Sequence, residues 1–163
     1  MDAAHRSYIR RETLIGIVLN TIVSAVFVWL MFRGLDAIGL WGMQGLAFDL
    51  VPTTFMITLM TTIALTFITR ARLRDGSAPA LAPRGWRPPA FPPVRGVLLG
   101  LAFTLALVPA AVGVLSLVWR RDWTFNEVLV FKMIYGAVLG AVVTPIVLRL
   151  ALMDRAMGER ATA

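Results

Sequence analysis

Four long apolar stretches, separated by short polar segments, organise this chain. Each is 19 to 24 residues long, and at ~1.5 Å per residue a helix of that length crosses a hydrocarbon core of ~30 Å. We predict membrane-spanning helices over 14–32, 47–69, 96–119 and 128–149. The charges inside them are Asp49, Lys132 and the terminal Arg149. The pattern predicts an all-α integral membrane protein, with residues 1–163 forming a single four-helix domain.

The arginines lie mainly on one side of the predicted helices. Twelve fall in the two terminal segments and the linker 70–95, against three in the two short loops. Because basic residues are enriched in cytoplasmic loops, we predict that both termini and the linker are cytoplasmic. Hydrophobic residues make up 58% of the chain and charged residues 15%, whereas soluble domains carry roughly 25% charged residues. We expect a multi-pass protein of the bacterial inner (cytoplasmic) membrane.

The chain also divides into two similar halves, each consisting of a helix, a short loop and a helix. Phe48-Asp49-Leu50-Val51 resembles Phe125-Asn126-Glu127-Val128 at the equivalent position of the second half. This pattern predicts two helix hairpins of the same orientation. A chance match between apolar sequences is the alternative explanation.

The linker 70–95 is rich in arginine and proline, and aromatic residues lie between its arginines. Closely spaced prolines favour extended backbone over a regular helix, and this mixture is typical of a segment at the level of the lipid headgroups. We predict contact with anionic lipids at the cytoplasmic face through Arg70, Arg72, Arg74, Arg84, Trp86, Arg87 and Arg95. The alternative is a solvated linker.

Small and hydroxyl residues recur at helical spacing in all four stretches. Helices in lipid associate through close packing of small residues and through polar contacts. We predict that one set of residues forms helix-packing or partner interfaces: Gly16, Asn20, Ser24, Thr54, Thr58, Thr62, Thr66, Gly96, Gly100, Gly136, Gly140 and Thr144. The threonine stripe of the second stretch has two alternative uses, as an interface with another chain or as the lining of a solute path.

Lys132 is the only lysine in the chain, and an ionisable residue inside a membrane helix is a functional candidate. Asp49 lies at a similar predicted depth, at the start of the second stretch. We hypothesise that Asp49 and Lys132 form an ion pair that ties the two halves together. The alternative is two independent residues at the membrane interface, with the lysine extended toward water.

The residue inventory argues against several kinds of chemistry. The chain has no cysteine, and its only histidine, His5, lies outside the apolar stretches. No triad, metal site or phosphate-binding loop is evident, so we expect no enzyme activity, no cofactor and no nucleic-acid partner. The function we predict is a non-catalytic structural or accessory subunit of a membrane complex, or a homo-oligomer. The alternative is a small-solute or ion transporter or channel that uses Asn20, Asp49, the threonine stripe and Lys132.

Overall fold

The computed structural model describes residues 3–81 and 89–154. The helices in these ranges are α1 Ala3–Phe32, α2 Leu46–Arg74, α3 Pro92–Val118 and α4 Phe125–Leu152. All four are long and apolar enough to span a membrane. This confirms the prediction of four such helices and indicates a multi-pass membrane protein.

The helices extend further into the polar segments than predicted. Residues 70–74, predicted as linker, belong to α2, and residues 92–95 belong to α3. Hydropathy marks only the part of a helix that is apolar, whereas backbone hydrogen bonding continues through the adjoining arginines. The segment between α2 and α3 therefore consists of residues 75–91.

Local signals set the helix ends. Gly34 follows α1 and Gly76 follows α2, with φ of +86° and +78°, a left-handed conformation that favours glycine. The prolines at 92–93 begin α3, where the missing N–H group has no helical partner to lose. A capping box begins α4, in which Thr124 and Glu127 each bond the other's backbone N–H.

The helices do not pack in chain order. α1 packs against α4, α2 packs against α3, and these antiparallel pairs join along a parallel seam between α2 and α4. Within the described residues, α1 and α2 touch slightly and α3 and α4 hardly at all. The two helices within each predicted half therefore pack little against each other, because the close contact of α1 is with α4, and α3 packs on α2 across the boundary between the halves. Whether the two halves arose by duplication stays a prediction.

Glycine allows the close approach of α1 to α4. A Cβ atom on Gly140 would lie 2.7 Å from the Cα of Ile17 and 2.9 Å from the carbonyl oxygen of Gly16. These neighbours are backbone atoms, which cannot move aside without shifting a whole helix. The two backbones are therefore in direct contact, as in other membrane helix pairs with small residues four apart.

The contact between α2 and α3 uses glycine differently. A Cβ atom on Gly96 would lie 2.7 Å from a methyl carbon of Leu59, and one on Gly100 would lie 2.9 Å from the ring of Phe55. Both glycines are thus nearest to large side chains of α2, with the backbone carbonyl oxygens of Leu59 and Phe55 slightly further away, at 3.2 and 3.4 Å. Gly96 and Gly100 lie in the packing interface, on the face that pairs α3 with α2.

The outside of the bundle is apolar. The α3 side chains Leu105 and Leu117 are 75% and 76% exposed, and exposed valines, leucines and isoleucines cover the outer faces of the other helices. Apolar surface this extensive is rare on soluble proteins. It matches the surface expected where helices face lipid chains.

The two ends of the bundle differ in charge. The end where α1 begins and where α2 and α4 end carries most of the arginines in the part of the chain that the structure describes, and we name it the basic end. The opposite end holds loops 33–45 and 119–124, and we name it the loop end. There Ile38 and Trp123 exchange backbone hydrogen bonds of 2.8 and 2.9 Å, which tie the two loops together.

We predict that Gly140→Ala destabilises the protein, because the new methyl group would meet the backbone of α1. The expected loss is about 1–3 kcal/mol of unfolding free energy, as for other overpacked sites. Gly113→Ala on α3 is the matched control, since nothing lies within 4 Å of the position that its methyl group would take. Unfolding in mixed detergent micelles measures both. Equal stability of the two variants would contradict the direct contact between α1 and α4.

Candidate functional site

A buried charge pair joins α2 to α4 near the loop end. Lys132 is 0% exposed, and its Nζ donates hydrogen bonds to Asp49 Oδ2 and, at 2.8 Å, to Thr53 Oγ1. Thr53 in turn donates to Asp49 Oδ1 at 3.4 Å. The structure thus brings the two sequence-predicted charges together as an ion pair, rather than leaving them as independent interfacial residues. Thr53, which completes the cluster, was not among the predicted residues.

The local fold places Asp49 at this point. It occupies the first turn of α2, where a carboxylate complements the positive end of the helix dipole. The backbone N–H groups of Leu46 and Ala47 bond to the carbonyls of Gly39 and Leu40, which anchors the start of α2 in the preceding loop. These bonds hold the start of α2 in place, and they thereby position the Asp49 side chain at the seam between α2 and α4.

An aromatic row adjoins the charge pair on the α4 side. Trp119 and Trp123 stack with ring centroids 4.4 Å apart, and contacts continue through Phe131 to Tyr135. The hydroxyl groups of Tyr135 and Thr54 share a hydrogen bond of 2.7 Å across the α2–α4 seam. Sequence reasoning missed Tyr135, although its position one turn after Lys132 places it on the same face.

The rest of the threonine stripe faces inward. Thr58, Thr62 and Thr66 are each 0% exposed and follow Thr54 on one face of α2. Thr54 and Thr62 donate to the carbonyls four residues earlier, each at 2.7 Å. Such back-bonding satisfies a hydroxyl group without a partner on another helix, so the stripe packs closely in the seam.

Where α1 meets α4, hydroxyl groups of each helix pack against glycines of the other. Thr144 Oγ1 is the atom nearest to a Cβ built on Gly16, and Ser24 Oγ is the atom nearest to one built on Gly136. Among the described residues neither hydroxyl has a conventional hydrogen-bond partner. Glycine Cα–H groups offer weak donors at such contacts, which offsets part of the cost of burying an unpaired hydroxyl.

A second buried charge cluster lies at the basic end. Asp154, just after α4, accepts from Arg95 Nη1 and Nη2 at 3.1 and 2.8 Å and from Arg70 Nε at 2.9 Å. Arg95 is 1% exposed and also donates to the carbonyl of Pro89 at 3.1 Å. The cluster links the ends of α2, α3 and α4. Sequence reasoning missed Asp154, because nothing in a lone acidic residue after a helix reveals its distant partners.

These contacts correct part of the headgroup prediction. Arg95 faces the protein interior rather than lipid headgroups, because Asp154 offers a bidentate partner there. Arg70 shares that carboxylate, and its side chain is 27% exposed. Arg74 is exposed, as headgroup contact requires. Arg72 is half-buried and bonds Glu12 and Tyr8, and the other predicted positions, Arg84, Trp86 and Arg87, lie outside the described residues.

An apolar groove runs along α1 and α2 where these helices part. Its volume is about 510 Å³. Asn20 and Thr61 share a hydrogen bond of 3.3 Å halfway along it. At the basic end of the groove, Arg72 Nη1 bonds the carboxylate of Glu12 at 2.7 Å and the hydroxyl of Tyr8 at 3.1 Å.

The charged groups of the two clusters are therefore engaged with one another, whereas the buried hydroxyl groups of Thr58, Thr66 and Thr69 have no hydrogen-bond partner among the described residues. In the ranges 3–81 and 89–154, no cluster of three or more acidic or histidine side chains is arranged to hold a metal ion. No family model, curated protein or solved structure matches this chain.

We predict that reversing the charges at positions 49 and 132 separately will destabilise the protein, since each single change leaves like charges buried together. Removing one partner of a buried ion pair lowers the free energy of unfolding by roughly 3–5 kcal/mol, which unfolding in mixed detergent micelles measures. The double variant Asp49→Lys with Lys132→Asp should recover much of the loss, though not all of it, because a lysine opposes the dipole at the start of α2. Additive losses in the double variant would rule out direct coupling.

We also predict that Asp154→Asn will destabilise the basic end, because Arg95 would remain buried without a carboxylate. The expected loss is about 3 kcal/mol, measured by unfolding in mixed micelles. Asp75→Asn is the matched control, since Asp75 is exposed and bonds only Ser77 among the described side chains. If both variants unfold like the parent protein, the Asp154 cluster does not hold the helix ends together.

Proposed function

We propose that this chain is a non-catalytic subunit of a membrane assembly, either a homo-oligomer or an accessory subunit beside other membrane proteins. The observation that carries this proposal is the inward use of its polar groups. Lys132 and Asp49 bond each other and Thr53, and the helix flanks that remain uncovered are apolar. A non-catalytic subunit of this kind functions by contacting neighbouring membrane proteins through its apolar outer surface.

The transporter alternative needs a polar group that a solute can reach. Lys132 is 0% exposed and Asp49 is 6% exposed, with each contacting the other across a packed seam. Asn20 is 6% exposed and already accepts a hydrogen bond from Thr61. This arrangement favours a structural role for these residues over a role in conduction.

The flank of α3 is the surface best suited to a partner helix. Among the four helices, α3 packs substantially against one neighbour, α2. Its uncovered side carries Leu98, Leu101 and Leu105 at helical spacing, and these are 44%, 50% and 75% exposed. A leucine row of this kind can interlock with another membrane helix through van der Waals packing.

The proposal includes an orientation. The basic end carries the exposed arginines Arg10, Arg11, Arg74 and Arg149. The enrichment of basic residues in cytoplasmic segments supports placing this end in the cytoplasm, next to anionic headgroups. The bacterial inner membrane is the location we propose.

We predict that gentle native extraction yields a particle heavier than the 17.9 kDa chain, with reproducible composition by mass spectrometry. Leu105→Trp on the α3 flank should release single chains, because the larger side chain disturbs the interlocking row. Val18→Trp, on the 57% exposed outer side of α1, is the matched control and should leave the particle intact. A parent protein that extracts as single chains and supports solute flux in liposomes would overturn the proposal.

A further inference from the structure

The groove between α1 and α2 is long and narrow. On α2 its lining extends from Met56 to Arg72, which at ~1.5 Å per residue is roughly 24 Å. Its volume of about 510 Å³ is well below the roughly 1,900 Å³ that a helix about 10 Å across would need over that length. The groove therefore suits a slimmer occupant, such as a single hydrocarbon chain.

The lining of the groove is apolar along most of this length. Leu19 and Val23 of α1 face Met60 and Ala64 of α2. Halfway along, Thr61 donates a hydrogen bond to Asn20 Oδ1, and the buried Asn20 Nδ2 group, which has no partner among the described residues, is the one unpaired polar group of these two side chains. These walls suit an alkyl chain and offer little to a hydrated solute.

The two ends of the groove differ in chemistry. The Arg72 guanidinium lines the basic end, and its side chain is 37% exposed. Its contacts with Glu12 and Tyr8 both use Nη1. Glu12, which pairs with Arg72, also lines this end. Exposed Arg10 and Arg11 lie on the neighbouring turn of α1, so these four side chains together carry a net positive charge. The other end, near Phe27 and Met56, is apolar.

We infer that the groove between α1 and α2 is a binding site for one acyl chain of an anionic phospholipid, whose phosphate group contacts Arg72. The length exceeds the ~15 Å that one leaflet of the hydrocarbon core provides, which leaves room for a chain extended from the headgroup level. A phosphate group is a suitable partner for the part of the guanidinium that faces the groove mouth. This inference rests on the proposed placement of the basic end among anionic headgroups.

Native mass spectrometry tests the site, with phosphatidylglycerol and phosphatidylcholine of identical chains as the probes. The parent protein should retain one phosphatidylglycerol about ten times more often than one phosphatidylcholine. Ala64→Phe, which fills the groove, should abolish retention of both. Ala141→Phe, at an exposed position of α4 that does not line the groove, should retain lipid as the parent does.

A second pair of variants tests the headgroup contact. Arg72→Gln should lower phosphatidylglycerol retention to the phosphatidylcholine level. Arg120→Gln removes the same charge from an exposed position at the loop end, away from the groove lining, and it should leave retention unchanged. If Arg72→Gln fails to fold because Glu12 loses its partner, the Ala64→Phe comparison still decides the question.

Equal retention of the two lipids by the parent protein, or unchanged retention in Ala64→Phe, would overturn the inference. So would a reduction in the number of chains per particle caused by Ala64→Phe, because the groove would then hold another protein chain. Lipid additions and chain number are read as separate masses in one spectrum. Failure of the lipid site is therefore distinguishable from failure of the proposed subunit role.

Discussion

The burial of Lys132 beside Asp49 is the constraint on which the rest of this bundle depends. A charge in an apolar environment is tolerated only when a partner neutralises it and the remaining donors are bonded. Here the lysine lies on α4 and the aspartate on α2, so neither helix is stable in its position without the other. Because α4 also packs on α1 and α2 on α3, this contact joins the two helix pairs at the loop end of the seam.

At the basic end, a second cluster of charged residues also links helices of the two pairs. Asp154 binds Arg95 and Arg70 and so connects α4 with α3 and α2. Between the two charged clusters, buried threonines of α2 fill the seam. Thr54 and Thr62 bond carbonyl groups of their own helix, and the other threonines are held there by close packing. Polar contacts therefore specify the alignment at both ends, and close packing fills the length between them.

The helices could be predicted from sequence because length and hydropathy are local properties, and even the pairing of Asp49 with Lys132 was accessible as the simplest neutralisation of two intramembrane charges. The order of packing was not accessible. Gly136 and Gly140 mark a face suited to close contact, but nothing local states that Gly16 and Ser24 form its partner face. The same limit hid the Arg95–Asp154 contact, since Arg95 resembles other arginines of a basic segment until the fold places a carboxylate beside it.

The helix order is tested most directly by distances between spin labels, which the cysteine-free chain allows without removing native residues. A label at Ile134 on α4 serves as the common reference, paired in turn with Val26 on α1 and Leu101 on α3, all at exposed positions. The account predicts that the α4–α1 distance is clearly shorter than the α4–α3 distance, because α2 separates α3 from α4. A shorter α4–α3 distance would mean that consecutive helices pair as hairpins, which would contradict the arrangement built on the Asp49–Lys132 seam.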